Sequence, residues 1–190
     1  WLHHTLETYE VPPDLVGRTL VETRPDGEEI VYGYDANGNR TSGTPPGQPI
    51  HVLEYTPVDL LGVYTPPALP TGPTPTSWSY NLDRQVDLVT RPGGSVIDPG
   101  YDSAGRLETT AFPGSLITRT YHPVTGKLQT LAGPTGVTLT YGYDGSLLTD
   151  VTWSGAITGT LHRDYDNDFR IVAESVSGSV AASFGYDGDS

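Results

Sequence analysis

The chain has 190 residues, a formal net charge of −13 and no cysteine. So acidic a chain lacks the basic stripe that nucleic-acid binding requires, and the absence of cysteine excludes disulfide frameworks and thiolate metal sites. No signal peptide is visible, and no apolar run approaches the roughly 18 residues of a membrane-spanning helix. Because the sequence starts at Trp1 without a methionine, we expect a fragment of a longer polypeptide.

Short strands separated by frequent turns are predicted from the N-terminal third onward. The 23 glycines and 17 prolines remain below the fraction that is typical of disordered chains. Residues 31–42, VYGYDANGNRTS, place a tyrosine–aspartate pair directly before Asn-Gly. Asn-Gly is a strong hairpin signal because both residues tolerate a positive φ. We therefore predict a hairpin turn that includes Tyr34, Asp35 and Gly38.

The next stretch, residues 44–76, is rich in proline, which fixes φ and removes backbone donors. We predict an elaborated loop within one continuous repeat array, because the tyrosine spacing described next persists across it. A linker between two sheets is the alternative. The apolar run VDLLGVY at 58–64 is expected to pack on the sheet.

A tyrosine recurs at intervals of 20 to 25 residues along the whole chain. The copies that follow Tyr101 and Tyr121 combine a turn, a Gly-basic-Leu step, a short strand, a Pro/Gly turn and a second strand that leads into the next tyrosine; other copies keep only part of this order. Residues 101–120, YDSAGRLETTAFPGSLITRT, show this order most clearly. Residues 137–143 alternate apolar and polar, as a strand with one apolar face does. The repeat tyrosines are Tyr9, Tyr34, Tyr55, Tyr80, Tyr101, Tyr121, Tyr143, Tyr165 and Tyr186.

The Tyr-Asp pair has a physical role in such a turn. The tyrosine hydroxyl can reach a backbone partner, the carboxylate can accept N–H groups two residues on, and glycine supplies the positive φ. We expect the aspartates at hairpin turns and Tyr34, Tyr101, Tyr143 and Tyr165 stacked in a line across adjacent strands. The residues assigned to the repeat motif are Tyr34, Asp35, Gly38, Tyr101, Asp102, Gly105, Arg106, Leu107, Tyr121, Gly126, Tyr143, Asp144, Tyr165, Asp166, Tyr186 and Asp187.

These motifs resemble those of the Rhs (rearrangement hotspot), or YD-repeat, family. The resemblance rests on YDSAGRLETTAFPG at 101–114, YDANGNRT at 34–41 and TRPDGEEIVYGYD at 23–35. It implies an all-β fold in which residues 1–190 form a single array of about eight β-hairpin repeats. The array would be a long, curved antiparallel sheet, a segment of a spiral shell.

The resemblance also implies a function. In bacterial members the shell encloses a C-terminal toxin domain, which an aspartyl autoproteolytic segment releases. Asp98-Pro99-Gly100 lies inside a predicted strand and lacks the aromatic-rich flank of that segment, so we do not expect cleavage here. We expect a non-catalytic structural segment of a shell that encapsulates and delivers a toxin, in a secreted or cell-surface bacterial protein.

The alternative is an extracellular adhesive or filament-forming YD-repeat protein, with carbohydrate as a candidate ligand of Trp78, Trp153 and the tyrosine row. In either case the expected partners are the remainder of the same polypeptide or neighbouring copies, joined through open sheet edges. An enclosed toxin domain would be a further partner of the shell. Cross-strand aromatic pairs also stabilise sheets, which favours a structural role for the aromatic row.

No catalytic, cofactor or metal site is predicted. DYDNDF at 164–169 has carboxylates at alternate positions, but Phe169 and Ser175 stand where a helical calcium loop requires Gly and Glu. A turn is therefore favoured there, and also at DANGN, 35–39. The five histidines show no metal-ligand spacing. Neither a nucleophile elbow nor a phosphate-binding glycine loop is present.

Overall fold

The computed structural model describes residues 9–10, 14–68, 72 and 75–187. The chain divides into two compact units, Trp1–Ile97 and Asp98–Ser190. The first contains β1 (Tyr9–Glu10), β2 (Val21–Thr23), β3 (Glu29–Tyr34), β4 (Arg40–Thr44), β5 (His51–Tyr55), β6 (Leu61–Thr65), β7 (Thr76–Tyr80) and β8 (Val86–Thr90). The second contains β10 (Leu107–Phe112), β11 (Ser115–Tyr121), β12 (Leu128–Ala132), β13 (Thr138–Asp144), β14 (Leu147–Ser154), β15 (Gly159–Tyr165), β16 (Ile171–Val176) and β17 (Ala182–Ser183). β9 (Val96–Tyr101) contributes residues to both.

Every strand pairs antiparallel with the strand that follows it in sequence, as an array of hairpins requires. In the first unit the pairings extend from β1–β2 to β8–β9, where Val89 lies opposite Ile97. In the second they extend from β9–β10, where Gly100 lies opposite Thr109, to β16–β17. Within the described ranges the chain contains no helix, and none of it forms a helix that could cross a membrane. The predicted all-β class of antiparallel hairpins is confirmed.

A β-bulge accompanies seven of the repeat tyrosines. At the first of them, Tyr34 lies opposite Arg40 and Gly33 opposite Ser42, which leaves Thr41 as the extra residue. The same register shift occurs where β5, β7, β9, β11, β13 and β15 end. A bulge increases the local twist and re-aims side chains. It therefore sets how each tyrosine side chain lies relative to the strand beside it.

The two faces of the sheet in the second unit differ in chemistry. On one face, Tyr141 lies opposite Val151, which lies opposite Leu161, so apolar side chains meet across three strands. On the other face, threonines lie opposite one another across five strands, and two of the pairs share a hydroxyl–hydroxyl hydrogen bond. This threonine row consists of Thr120, Thr130, Thr140, Thr152 and Thr160. The alternation predicted for 137–143 therefore separates an apolar face from a polar one.

Neither unit contains a closed hydrophobic core among the described residues. No described side chain is fully buried, and the apolar residues of the sheet are half-buried or exposed. The strands of a single sheet pair edge to edge, and such a sheet leaves its apolar face without a covering layer. The strand ladders and cross-strand pairs must therefore supply stability that a core supplies in an ordinary domain.

The proline-rich stretch 44–76 contains more regular structure than a loop. Strands β5 and β6 lie within it and pair with each other, with Leu53 opposite Tyr64. The turn between them begins at Thr56, and Pro57 takes the second position, where a fixed φ of about −65° suits a type I turn. Proline is thus compatible with the hairpin because it occupies the turns rather than the strands.

The last strand of the described residues, β17, is short. Only Ala182 and Ser183 are strand residues, and they pair with Glu174 and Ala173 of β16. The N–H of Phe184 still donates to the Val172 carbonyl at 2.9 Å. Among the described residues β17 has a partner on one side only, so fewer backbone bonds hold it in register.

Candidate functional site

The repeating feature of the sheet is the turn that follows each tyrosine, and Asp102 illustrates it. Its N–H donates to the Arg106 carbonyl, and the Gly105 N–H donates back to the Asp102 carbonyl, both at 2.9 Å. Gly105 has a φ of 74°, the left-handed conformation that closes a three-residue hairpin loop. The same two bonds recur in the turns that begin at Asp14, Asp35, Thr56, Asn81 and Asp166.

The aspartate side chain binds the interior of its own turn. One oxygen of Asp102 accepts the N–H groups of Ala104 and Arg106, each at 2.9 Å. The other accepts the Arg106 Nε–H at 2.8 Å. The bond from the Arg106 side chain, followed by those from the backbone, holds the pKa of Asp102 below its usual value. Asp14 with Arg18 and Asp166 with Arg170 repeat this arrangement, with their pKa values lowered as well.

The basic residue also reaches the next repeat tyrosine. The Arg106 guanidinium carbon lies 4.3 Å from the centre of the Tyr121 ring, a cation–π contact. One Arg106 nitrogen also lies 3.4 Å from the Gly126 carbonyl, in the turn that follows that tyrosine. We call the aspartate, the basic residue and the next tyrosine the Asp–Arg–Tyr cluster. Equivalent cation–ring contacts are Arg18–Tyr34 at 5.0 Å, Lys127–Tyr143 at 4.8 Å and Arg170–Tyr186 at 4.6 Å.

This geometry differs from the predicted stacking at Tyr34 and Tyr143, two of the four tyrosines that were expected to stack on one another. Repeat tyrosines end alternate strands, and strands lie about 4.8 Å apart, so their backbones are about 10 Å apart. That separation exceeds the 4.5–7 Å of aromatic pairs. The described ring faces of Tyr34, Tyr121 and Tyr143 instead meet a basic side chain. His51 and Tyr64 form a stacked ring pair, with centroids 6.0 Å apart.

Seven of the repeat tyrosines donate a hydroxyl hydrogen bond to a main-chain carbonyl near the start of the neighbouring even-numbered strand. A hydroxyl–carbonyl bond of this kind closes the hairpin at the end opposite its Pro/Gly turn. The acceptors are Thr19 for Tyr34 (3.0 Å), Arg40 for Tyr55 (3.1 Å), Leu61 for Tyr80 (2.8 Å), Leu107 for Tyr121 (2.8 Å), Leu128 for Tyr143 (3.0 Å), Leu148 for Tyr165 (2.8 Å) and Ile171 for Tyr186 (2.7 Å). The backbone partner predicted for these hydroxyls is therefore present.

Some motif residues lie in turns of a different form. Gly126, with a φ of 71°, ends a turn that is one residue longer, in which His122 Nδ1 accepts two backbone N–H groups in place of an aspartate. Asp144 is the last residue of β13 and lies opposite Leu147, across a two-residue turn with Gly145. Tyr101 is the last residue of β9. Asp187 follows Tyr186 at the end of the described residues.

Three turns place a side chain where the others have glycine. Asp59, Arg84 and Phe169 adopt φ values of 61°, 62° and 64° at the position that corresponds to Gly105. A left-handed L-residue costs about 1–2 kcal/mol relative to the right-handed conformation. Asp59 gains partial compensation because its carboxylate accepts the amide N–H groups of Asn37 and Asn39, at 2.8 and 2.7 Å.

Sequence reasoning missed the glycine that precedes several repeat tyrosines. A side-chain carbon at Gly33 would meet the Ser42 hydroxyl, and one at Gly100 would meet the Thr109 hydroxyl, both well inside contact distance. At Gly142 it would lie 3.1 Å from the Asp150 Cβ. The bulge brings these neighbours across the strand, so glycine there provides space rather than a special φ. The recurring dipeptide Gly-Tyr was the available signal.

The candidate ligand motifs take structural roles. The Asp166 carboxylate of DYDNDF binds Arg170, and Asp168 lies 3.2 Å from the same side chain. No group of three or more histidine, aspartate or glutamate side chains within the described ranges is arranged to hold a metal ion. The Trp153 indole covers Gly159 directly opposite, where a Cβ would meet the ring inside contact distance. The indole therefore packs across the strand pair against the Gly159 backbone.

A family model described as the teneurin YD-shell matches residues 19–187 of this chain. No curated protein matches it. The match therefore includes every complete turn described above except the one that begins at Asp14.

Among solved structures, the chain is similar to three assemblies that contain TcdB2-TccC3 or a Tc holotoxin. The TcdB2-TccC3 structure without its hypervariable C-terminal region is 13% identical, with a TM-score of 0.59 over 89% of this chain and 11% of that one. The TcdB2-TccC3 structure is 14% identical, with a TM-score of 0.56 over 89% and 12%. The Photorhabdus luminescens Tc holotoxin pore is 14% identical, with a TM-score of 0.57 over 89% and 11%. At this identity the likeness concerns the fold, and the chain spans about a ninth of those chains.

Proposed function

The chain belongs to the teneurin YD-shell family, and we propose that it forms part of the wall of a shell that encapsulates and delivers a C-terminal toxin domain. One observation carries the proposal: the described residues form a hairpin array without a closed core, in which each strand from β2 to β16 pairs with the strand before it and the strand after it. Such an array grows by adding repeats, because each repeat depends on the adjacent ones rather than on a central core. A wall needs this property.

In this proposal the segment contributes contacts that hold the repeats together and does not carry out catalysis. The Asp–Arg–Tyr cluster connects three of the turns to the next tyrosine, and the tyrosine hydroxyl connects the two strands of a hairpin at that end. Within the cluster, the Arg106 guanidinium and the Asp102 carboxylate are thereby hydrogen-bonded to each other. We propose that the segment has no catalytic activity of its own, and that the rest of the polypeptide covers its open sheet edges.

We further propose that the protein is secreted or exposed at the cell surface. The acidic composition and the lack of cysteine are compatible with an extracellular surface. Fractionation of the producing cells followed by immunodetection tests this placement, and recovery of the protein only from cytosol would contradict it.

Protease protection of the full-length protein tests the shell. A domain enclosed by the wall should survive intact under native conditions and become cleavable once the wall is denatured. Cleavage of that domain at the same rate in the native protein and in isolation would contradict enclosure and favour the adhesive or filament-forming alternative.

Matched arginine variants show whether the wall itself provides the protection. Arg106→Ala removes the residue that joins Asp102 to Tyr121 and should speed cleavage of the enclosed domain. Arg91→Ala removes the same charge from an exposed position in the turn between β8 and β9 and should leave the rate unchanged. Equal cleavage rates for both variants would mean that the Asp–Arg–Tyr cluster does not contribute to the protection of the enclosed domain.

A further inference from the structure

A histidine lies between two carboxylates on the polar face of the second unit, next to the threonine row. His162 of β15 is paired directly with Asp150 of β14, and Asp164 follows two residues later on β15. The imidazole Nδ1 lies 2.7 Å from an oxygen of Asp150, and Nε2 lies 3.3 Å from an oxygen of Asp164. All three side chains are partly exposed and none belongs to an Asp–Arg–Tyr cluster.

The geometry of this cluster indicates which protonation state completes it. A neutral imidazole carries one N–H, and its other nitrogen presents a lone pair. An ionised carboxylate only accepts hydrogen bonds, so two carboxylates at the two ring nitrogens require two N–H donors. Only the imidazolium ion satisfies both contacts. The bond to Asp150, and secondarily that to Asp164, raises the pKa of His162, while the bond from His162 lowers that of Asp150.

The residues of β16 that face the cluster carry no charge. On β16, Ser175 lies opposite His162 and Ala173 lies opposite Asp164. The charged residues Arg163 and Glu174 alternate with them on the other face, where they bond to each other at 2.6 Å.

On the far side of β14, the facing residue of β13 is Gly142. A Cβ there would lie 3.2 Å from an oxygen of Asp150, so the missing side chain leaves room for this carboxylate. Among the described residues of β13 to β16, Asp150 and Asp164 are the charged groups within hydrogen-bond distance of the imidazole. Asp144 at the end of β13, Arg163 of β15 and Asp166 after β15 line the same surface depression as His162.

We propose that Asp150, His162 and Asp164 form a proton-dependent clasp that joins β14 to β15 while the imidazole is protonated. Because the folded-state pKa of His162 is raised, the clasp contributes fully below the ordinary imidazole pKa of 6.5 and is lost as the pH rises through the folded value. After deprotonation, one carboxylate faces a nitrogen lone pair and the hairpin loosens. This response does not depend on what a shell would enclose.

Histidine C2 hydrogen exchange, read by mass spectrometry on the full-length protein, measures the pKa of this imidazole. The expected value for His162 lies above 6.5. Asp150→Asn and Asp164→Asn should each lower it by at least about half a unit, which is a threefold loss of proton affinity. Gly142→Ala should lower it by displacing Asp150 without changing any charge. A value at or below 6.5, or no decrease in any variant, overturns the proposal.

Amide hydrogen exchange tests the consequence for the strands. Corrected for the intrinsic exchange rate, protection of β14 and β15 should fall severalfold as the pH rises through the His162 pKa. His162→Gln should remove this pH dependence. His122→Gln, which alters a histidine in a turn outside the clasp, should retain it. Protection that does not change with pH in the unaltered protein overturns the proposal even if the pKa is raised.

Discussion

Replacing Arg84 with glycine should stabilise the hairpin of β7 and β8. Arg84 is exposed and has a φ of 62°, at the turn position where other repeats have a left-handed glycine. An L-residue in this conformation costs about 1–2 kcal/mol, whereas glycine adopts it freely. Glycine also increases the entropy of the unfolded chain, which offsets roughly 0.5–1 kcal/mol of that gain.

Arg84→Ala is the matched control because it removes the same charge and side chain but keeps the Cβ. The difference between the two variants isolates the backbone conformation and should favour glycine by about 0.5–1 kcal/mol. That corresponds to a two- to fivefold smaller opening constant. Amide hydrogen exchange of β7 and β8 in the full-length protein measures it.

The reverse substitution, Gly105→Ala at a φ of 74°, should destabilise the β9–β10 hairpin by a similar amount. Exchange that is equally fast, or faster, in Arg84→Gly than in Arg84→Ala would refute the argument that the left-handed side chain is strained.

Three further outcomes are expected. Tyr121→Phe removes the hydrogen bond to the Leu107 carbonyl and should cost about 1 kcal/mol, measured as faster amide exchange in β10 and β11. Gly159→Ala forces the Trp153 indole away and should cost about 1–3 kcal/mol, with a shift in tryptophan fluorescence; unchanged emission would contradict the packing. Because the pKa of Asp102 is lowered in the folded state, its contribution is complete above the unfolded-state value of 3.8 and is lost as the pH falls through the folded value. Melting temperatures should therefore decline in acid, and less steeply in Asp102→Asn.

The turns and strands could be predicted because their signals are local. Alternation over 137–143 and the glycines of the Tyr-Asp turns at Asp35 and Asp102 act within a few residues, so the sequence alone carries the information. The proline-rich stretch 44–76 was harder because proline count does not show proline position. Pro57 takes the second position of a turn, and β5 and β6 therefore form on either side of it.

The contacts between neighbouring turns could not be predicted in the same way. Placing Arg106 over Tyr121 requires the register of β10 against β11. The space filled by Gly100 likewise depends on the bulge that carries Thr109 across the strand. Both contacts join residues on paired strands. In the sequence they are visible only as a recurring basic residue and a recurring Gly-Tyr dipeptide.

Residue differences among the repeats show which parts of the turn and of the Asp–Arg–Tyr cluster can be replaced. The aspartate is replaced by Thr56 and Asn81, which keep both backbone bonds of the turn. The left-handed glycine is replaced by Phe169 at a conformational cost. The basic position holds Leu60, and the next tyrosine, Tyr80, still donates its hydroxyl bond to the carbonyl of the following residue, Leu61.

Seven described tyrosine hydroxyls retain that bond whatever precedes them. In a sheet whose described residues form no closed core, the contacts of neighbouring repeats partly compensate for the loss of one turn contact. A lost hydroxyl bond instead leaves one end of a hairpin held only by its ladder, so the tyrosine is the part of the repeat that this sheet can least replace.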